Sequence, residues 1–181
     1  EEGARVLRSI INYSNSQPSN DKDQYNFNVV SNDSLLLSNS HVVNFIISVL
    51  CVLNDPSDMI SRAAMLRLYL MARGDNNADI APLVSSNLID GSKLFFPQGY
   101  IEILEKIKQM PLFEAVENII LFFGLGDYSW NVAYLNTLQD YIVSFSGSGN
   151  SDIQSFLDWW DTTGKKKSVV LPANHDALRI L

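Results

Sequence analysis

The sequence predicts a mainly α protein in which a helical block is inserted between a helix–strand piece at one end of the chain and a lone strand at the other. Three observations carry this reading. Apolar residues from about position 40 to 163 recur mostly at helical spacing. The period falls to two in "YNFNVV", where Tyr25, Phe27 and Val29 alternate with polar residues, as in a strand. The last residues, 177–181, read as a buried strand. Two strands flanking a long helical run is the layout of a helical domain inserted into an α/β domain.

The elements follow in order. Glu2 to Asn12 reads as a short amphipathic helix with Val6, Leu7, Ile10 and Ile11 on one side, and 14–24 ("SNSQPSNDKDQ") as a polar loop before the strand at 25–30. Ser38 or Ser40 is placed to cap a helix running to about Asn54. That helix is apolar nearly all round (Val42, Val43, Phe45, Ile46, Ile47, Val49, Leu50), which predicts a central position in the core. "NDPSD" breaks it, Ser57 opens the next helix, and Gly74 stops that one after Arg73. Residues 75–98 give no clear pattern beyond a short helix near 78–88, and 97–109 reads as helical.

Pro111 suits the first position of the following helix, whose inner stripe is Leu112, Phe113, Val116, Ile119, Ile120 and Phe123. Trp130, Tyr134, Leu138, Tyr141, Ile142 and Phe145 form another stripe. "SGSGNS" (146–151) reads as a flexible joint. Ser151 or Asp152 caps a last helix with Ile153, Phe156, Leu157 and Trp160 at i, i+3, i+4, i+7 spacing. Gly164 ends it, "KKKSVVLP" is extended, and the terminal strand follows.

Composition sets the outer bounds. The 181 residues are 46% apolar and 18% charged, with a net charge of −7. That suffices for one full core, and the acidic balance is not that of a stand-alone nucleic-acid binder. The single cysteine, Cys51, lies in an apolar run and reads as a buried small hydrophobe, which excludes a disulfide framework. Glu1-Glu2-Gly3 is not the start of a secretory signal. The longest apolar run, 42–53, is too short to span a bilayer. Glycosylation-type triplets at Asn12 and Asn32 are therefore read as chance, and the expected compartment is the cytoplasm.

Motifs of catalysis are lacking. "TTGKKKS" (162–168) has a passing likeness to a phosphate loop, but Trp159 stands where the first glycine belongs and Lys166 where Ser or Thr belongs. Gly124-x-Gly126 lacks a third glycine and a preceding strand, so it reads as a helix stop. His41 and His175, the only histidines, lie far apart. No short-range pair of metal ligands and no Ser/His/Asp set is found. "DWWD" (158–161) reads as a solvated polar edge beside a core tryptophan rather than a carboxylate pair for glycoside chemistry. Trp159, off the apolar stripe, is expected at a domain boundary or against a partner.

Several segments, in order, resemble one family. "SNDSLLLSNSHVVNFIISVLCVLNDPSD" (31–58) is similar to the entry into the accessory 2B subdomain of superfamily 1 DNA helicases of the UvrD/RecB type, above all the AddA-like or RecB-like helicase–nucleases. "PLFEAVENIILFFGL" (111–125) resembles a later helix of that subdomain. "SDIQSFLDWWDTTGKKKSVVLPANHDALRIL" (151–181) is similar to the tryptophan-bearing helix, linker and strand that lead, in the family, into motif V (T-x-H-x-x-K-G-L-E-F). "EEGARVLRSII" resembles the helix after motif IV.

The resemblance implies a segment lying between motifs IV and V. Residues 1–33 would then be a partial piece of motor domain 2A, a RecA-like α/β domain. The helical 2B subdomain would be 34–172, and 173–181 the returning 2A strand. The parent would couple ATP hydrolysis, with Mg, to translocation on DNA and to unwinding in repair or recombination, with an exonuclease activity in some members. The segment itself would be non-catalytic, with no cofactor and no metal. Its partners would be DNA through the full-length protein, a nuclease partner subunit, and a second copy paired through exposed strand edges. Lys165, Lys166 and Lys167, the one basic run, are the candidates for DNA phosphate contact. Segments 14–24 and 165–174, near the two chain crossings, are candidate hinges. The competing reading from the residues alone is an independent all-α protein-interaction module. An enzyme built from scattered carboxylates has nothing specific behind it.

Overall fold

The computed structural model describes residues 28–31, 35–74, 95–147, 149, 152–169 and 177–180. The sequence-predicted helix 2–12, loop 14–24, helix near 78–88, Ser151 and His175 lie outside these residues, as do Tyr25 and Phe27 of the first strand. The chain divides into two units, Glu1–Leu35 with Val170–Leu181, and Leu36–Val169.

In the first unit, β1 (Asn28–Ser31) and β2 (Ala177–Ile180) pair in parallel, Asn28 opposite Ala177 and Ser31 opposite Ile180. Parallel neighbours need a long connection, and here the whole second unit is the intervening chain.

The second unit is mainly α, with six helices among its described residues: α1 (His41–Asn54), α2 (Met59–Ala72), α3 (Tyr100–Ile107), α4 (Leu112–Phe122), α5 (Ser129–Ser146) and α6 (Ile153–Thr162). The all-round apolar helix is central. α1 touches α2, α4, α5 and α6, and Val42, Val43, Phe45, Ile46, Val49 and Leu50 are fully buried. Its one buried hydroxyl, Ser48, donates to the Phe45 carbonyl at 2.7 Å, so no polar group is stranded there. Around Phe45 the aromatic rings meet edge-on or tilted. Phe123 lies 5.0 Å and Tyr69 5.4 Å from it, and Phe96 is 5.2 Å from Tyr69. Such pairs add to the area they bury.

The helix ends obey local chemistry, with several departures from expectation. Ser40 sits at the start of α1, but its side chain makes no capping bond. Instead Asn44 Nδ2 donates to the Ser38 carbonyl at 2.7 Å and ties the entry segment to the first turn. α2 is capped by Asp58, not Ser57. Asp58 Oδ1 accepts from the Ile60 and Ser61 amides, and Oδ2 from the Ser61 hydroxyl. Ser57 is taken up by the preceding turn, where its amide and hydroxyl both donate to Asp55 Oδ1. Gly74, at φ 87°, stops α2 in the left-handed region as the sequence suggested. α3 begins at Tyr100 rather than at position 97, because Gly99 is itself left-handed (φ 85°). Pro111 stands at the cap of α4 with ψ 149°, one position before the first helical residue.

Two apolar stripes need revision. In α4, Ala115 joins Leu112, Val116 and Ile119 in the buried line, while Phe113 and Ile120 are half-buried. In α5 the buried line is Asn131, Leu135, Leu138 and Ile142. Trp130 is 59% exposed, and Tyr134, Tyr141 and Phe145 are half-buried. The large aromatics of α5 therefore do not mark its inner face. That face opens with a polar residue, and Asn131 Nδ2 donates to the Ala72 and Leu125 carbonyls at 3.2 and 3.0 Å. One amide thus holds the end of α2, the turn after α4 and the start of α5 together.

Candidate functional site at the lysine loop

The site follows from how α6 ends. Asp152 caps the helix by accepting from the Ser155 amide at 2.8 Å. Phe156 and Trp160 are buried on its inner face. After Thr162 the chain tightens into a 3-10 turn, Gly164–Lys166, and only at Lys167 becomes extended. The expected extended run therefore begins two residues late. Gly164 does not serve as a left-handed helix stop. Its place is set by close approach, because a Cβ there would lie 2.5 Å from Trp160 Cε3 and 2.9 Å from Trp159 Cζ3.

The loop is fastened to the entry of the same unit. Leu36 and Ser168 form an antiparallel bridge, and the Leu37 amide donates to the Lys167 carbonyl at 2.8 Å. Ser38 Oγ donates to the Lys165 carbonyl, also at 2.8 Å. The two ends of the helical block are therefore hydrogen-bonded to each other. Of the candidate hinge at 165–174, residues 165–168 are held by backbone and side-chain bonds, and 170–174 lie outside the described residues.

Each lysine of the predicted contact run has a distinct setting. Lys165 Nζ lies 2.7 Å from Asp161 Oδ1, one helical turn back, with both side chains largely exposed, so the pair contributes little to stability. Lys167 Nζ stands 5.5 Å from the centroid of the Tyr141 ring, a cation–π distance. Lys166 is exposed and forms no ion pair with a described residue. A phosphate meeting this loop would find all three charges, with Lys165 in a weak exposed pair and Lys167 over an aromatic ring.

Behind the loop, the half-buried Trp159 lies among rings. Phe156 stacks on it at 5.5 Å, Phe145 is 5.7 Å away and Tyr141 6.2 Å away. Asp158 and Asp161 are exposed, and Asp158 accepts from Gln154, which in turn accepts from Asn54 at the end of α1. The two carboxylates are thus engaged in surface contacts.

Elsewhere, His41 is exposed at the first position of α1, and Cys51 is half-buried rather than fully buried. Burial pushes the Cys51 thiol up from its ordinary pKa, with the Ser61 hydroxyl opposing. Among the described residues no three His, Cys, Asp or Glu side chains are grouped to hold a metal. No helix among them is long and apolar enough to cross a membrane. The structural roles of Ser38 and Asn131 were invisible in the sequence, since both act across long stretches of chain.

The chain matches no family model, no curated protein and no solved structure.

Proposed function

We propose that this chain is a non-catalytic accessory element of an ATP-dependent DNA helicase, the 2B-type subdomain carried between two pieces of a RecA-like motor domain. The observation that carries the reading is the closure at the base of the helical block. Its entry and exit are bonded to each other through Leu36–Ser168 and Leu37–Lys167, and the strands outside it, β1 and β2, pair directly. A domain inserted between neighbouring strands needs both features, because its two roots must leave and re-enter the host side by side. A free-standing helical interaction module needs neither. The remaining support is the ordered resemblance of segments 31–58, 111–125 and 151–181 to the helicase family. ATP and Mg belong to the parent's motor parts, and DNA is met through the full-length protein.

The experiment is excision of residues 36–168 from the full-length parent, with a short Gly-Ser joint in their place. Their ends are bridged neighbours, so a short joint spans the gap. The expected result is that DNA-stimulated ATP hydrolysis persists while duplex unwinding changes in rate or regulation. A parent with no DNA-stimulated ATPase before excision, or with unwinding unchanged after it, would contradict the proposal.

A further inference from the structure

Between the end of α1, the first half of α2 and α3 lies a cavity of about 180 Å³, open on one side. Its inner wall is apolar, formed by Val52, Leu53, Met65 and Leu66, with Ile101 and Leu104 contributed by α3. Val52, Leu53, Met65 and Leu66 are buried. The one buried side-chain polar atom without a partner among the described residues is Ser146 Oγ, which is not in the cavity wall. Water at the apolar end would find few groups to bond, which favours a hydrocarbon occupant there. Arg62, Glu105 and Lys108 also line the cavity, Arg62 half-buried and the other two exposed, and neither cation forms an ion pair with a described residue.

We propose that this cavity is a binding site for a small amphiphilic carboxylate, a medium-length alkyl or aryl acid. The hydrocarbon part fills the apolar end, and the carboxylate meets Arg62 and Lys108 at the mouth. The combination of an apolar wall with a few charged groups at one end is what orients such ligands, and a guanidinium with an ammonium forms charge-assisted hydrogen bonds to a carboxylate. A void of about 180 Å³ has the size of one small ligand, which favours this occupant over a docked chain. The site is independent of the helicase reading and lies on a different part of the helical block from the lysine loop.

The test is titration of the full chain with sodium octanoate, followed through the methyl resonances of Val52, Met65, Ile101 and Leu104 by NMR, with 1-octanol as the uncharged probe. Saturable shifts confined to these methyls are expected with octanoate. Arg62→Gln with Lys108→Gln should weaken octanoate about tenfold and leave octanol nearly unchanged. Ile101→Trp, at a partly exposed position where a misfolded variant is least expected, should block both probes. The proposal is overturned by non-saturable shifts, by shifts spread over other methyls, or by an octanoate affinity indifferent to the loss of both charges. It is equally overturned if these methyls shift with protein concentration alone, which would make a second copy the occupant.

Discussion

Gly164 is the most exacting position in the lysine loop. A methyl group at its Cβ would lie 2.5 Å from Trp160 Cε3 and 3.1 Å from Trp160 Cδ2, with Trp159 Cζ3 at 2.9 Å. Trp160 is only 2% exposed and cannot swing into solvent, so Gly164→Ala must push the turn outward or displace the indole. Forcing one extra methyl into a filled site costs about 1–3 kcal/mol. Gly164 does not use the left-handed region, so alanine also gains about 0.4–1 kcal/mol by narrowing the unfolded ensemble. The net expectation is a loss of about 1–2 kcal/mol, or a melting temperature lower by about 2–8 °C for a chain of this size. Gly126 is the internal control. It too lies outside the left-handed region, and nothing lies within 4 Å of its added Cβ, so Gly126→Ala should be neutral or slightly stabilising. Thermal unfolding followed by far-ultraviolet circular dichroism, with urea unfolding beside it, reads both variants. Equal melting temperatures for Gly164→Ala and Gly126→Ala would refute the packing argument.

Three further outcomes are expected. Asn131→Ala should destabilise the chain by about 1–3 kcal/mol in urea unfolding, because it leaves the buried Ala72 and Leu125 carbonyls without their donor; an unchanged midpoint would mean that these carbonyls find other partners. If the lysine loop meets DNA phosphates in the parent, replacing Lys165, Lys166 and Lys167 together with Gln should flatten the slope of log affinity against log salt by up to about 2.7, about 0.9 for each lysine that reaches a phosphate, and an unchanged slope would remove the loop from the DNA contact. Fluorescence anisotropy with a duplex–single-strand junction measures it. The Ser61 hydroxyl and the amides of Ser61 and Ile60 hold the Asp58 carboxyl below its ordinary pKa. A depressed folded pKa contributes stability that is full above the unfolded value, about 3.9, and is lost as pH falls through the folded value. The urea-midpoint advantage of the native chain over Asp58→Ala should therefore be largest near neutrality and shrink in acid, and an advantage that grows on acidification would contradict this.

The sequence made the architecture of the helical block readable wherever one local rule decided the outcome. The all-round apolar character of 42–53 placed α1 at the centre. Gly74 and Gly124, both left-handed, marked the ends of α2 and α4, and Asp152 was a recognisable cap. Reading failed where two local signals competed. Ser57 and Asp58 are adjacent cap candidates, and the Asx turn from Asp55 claims the serine. The bulky aromatics of α5 outweighed the polar Asn131, although the inner face of that helix includes it. Gly164 reads as a helix stop in any sequence, and only the tryptophan rings against it show that close approach is the requirement. The lysine run was legible as charge, and Asp161 stands at i,i+4 spacing from Lys165, but the contacts with Tyr141 and Ser38 were not legible, because the Ser38 bond joins residues 127 positions apart. Non-local pairings of this kind leave no trace in a local pattern.

The central claim, that this helical block is carried by a helicase motor domain, is tested most directly by the coding sequence on either side of the segment. The account predicts that T-x-H-x-x-K-G follows Leu181 directly, with a strand bearing an arginine just before Glu1. A stop codon after Leu181, or flanking sequence with neither feature, would contradict it and leave the helical block to be understood as an interaction domain in its own right.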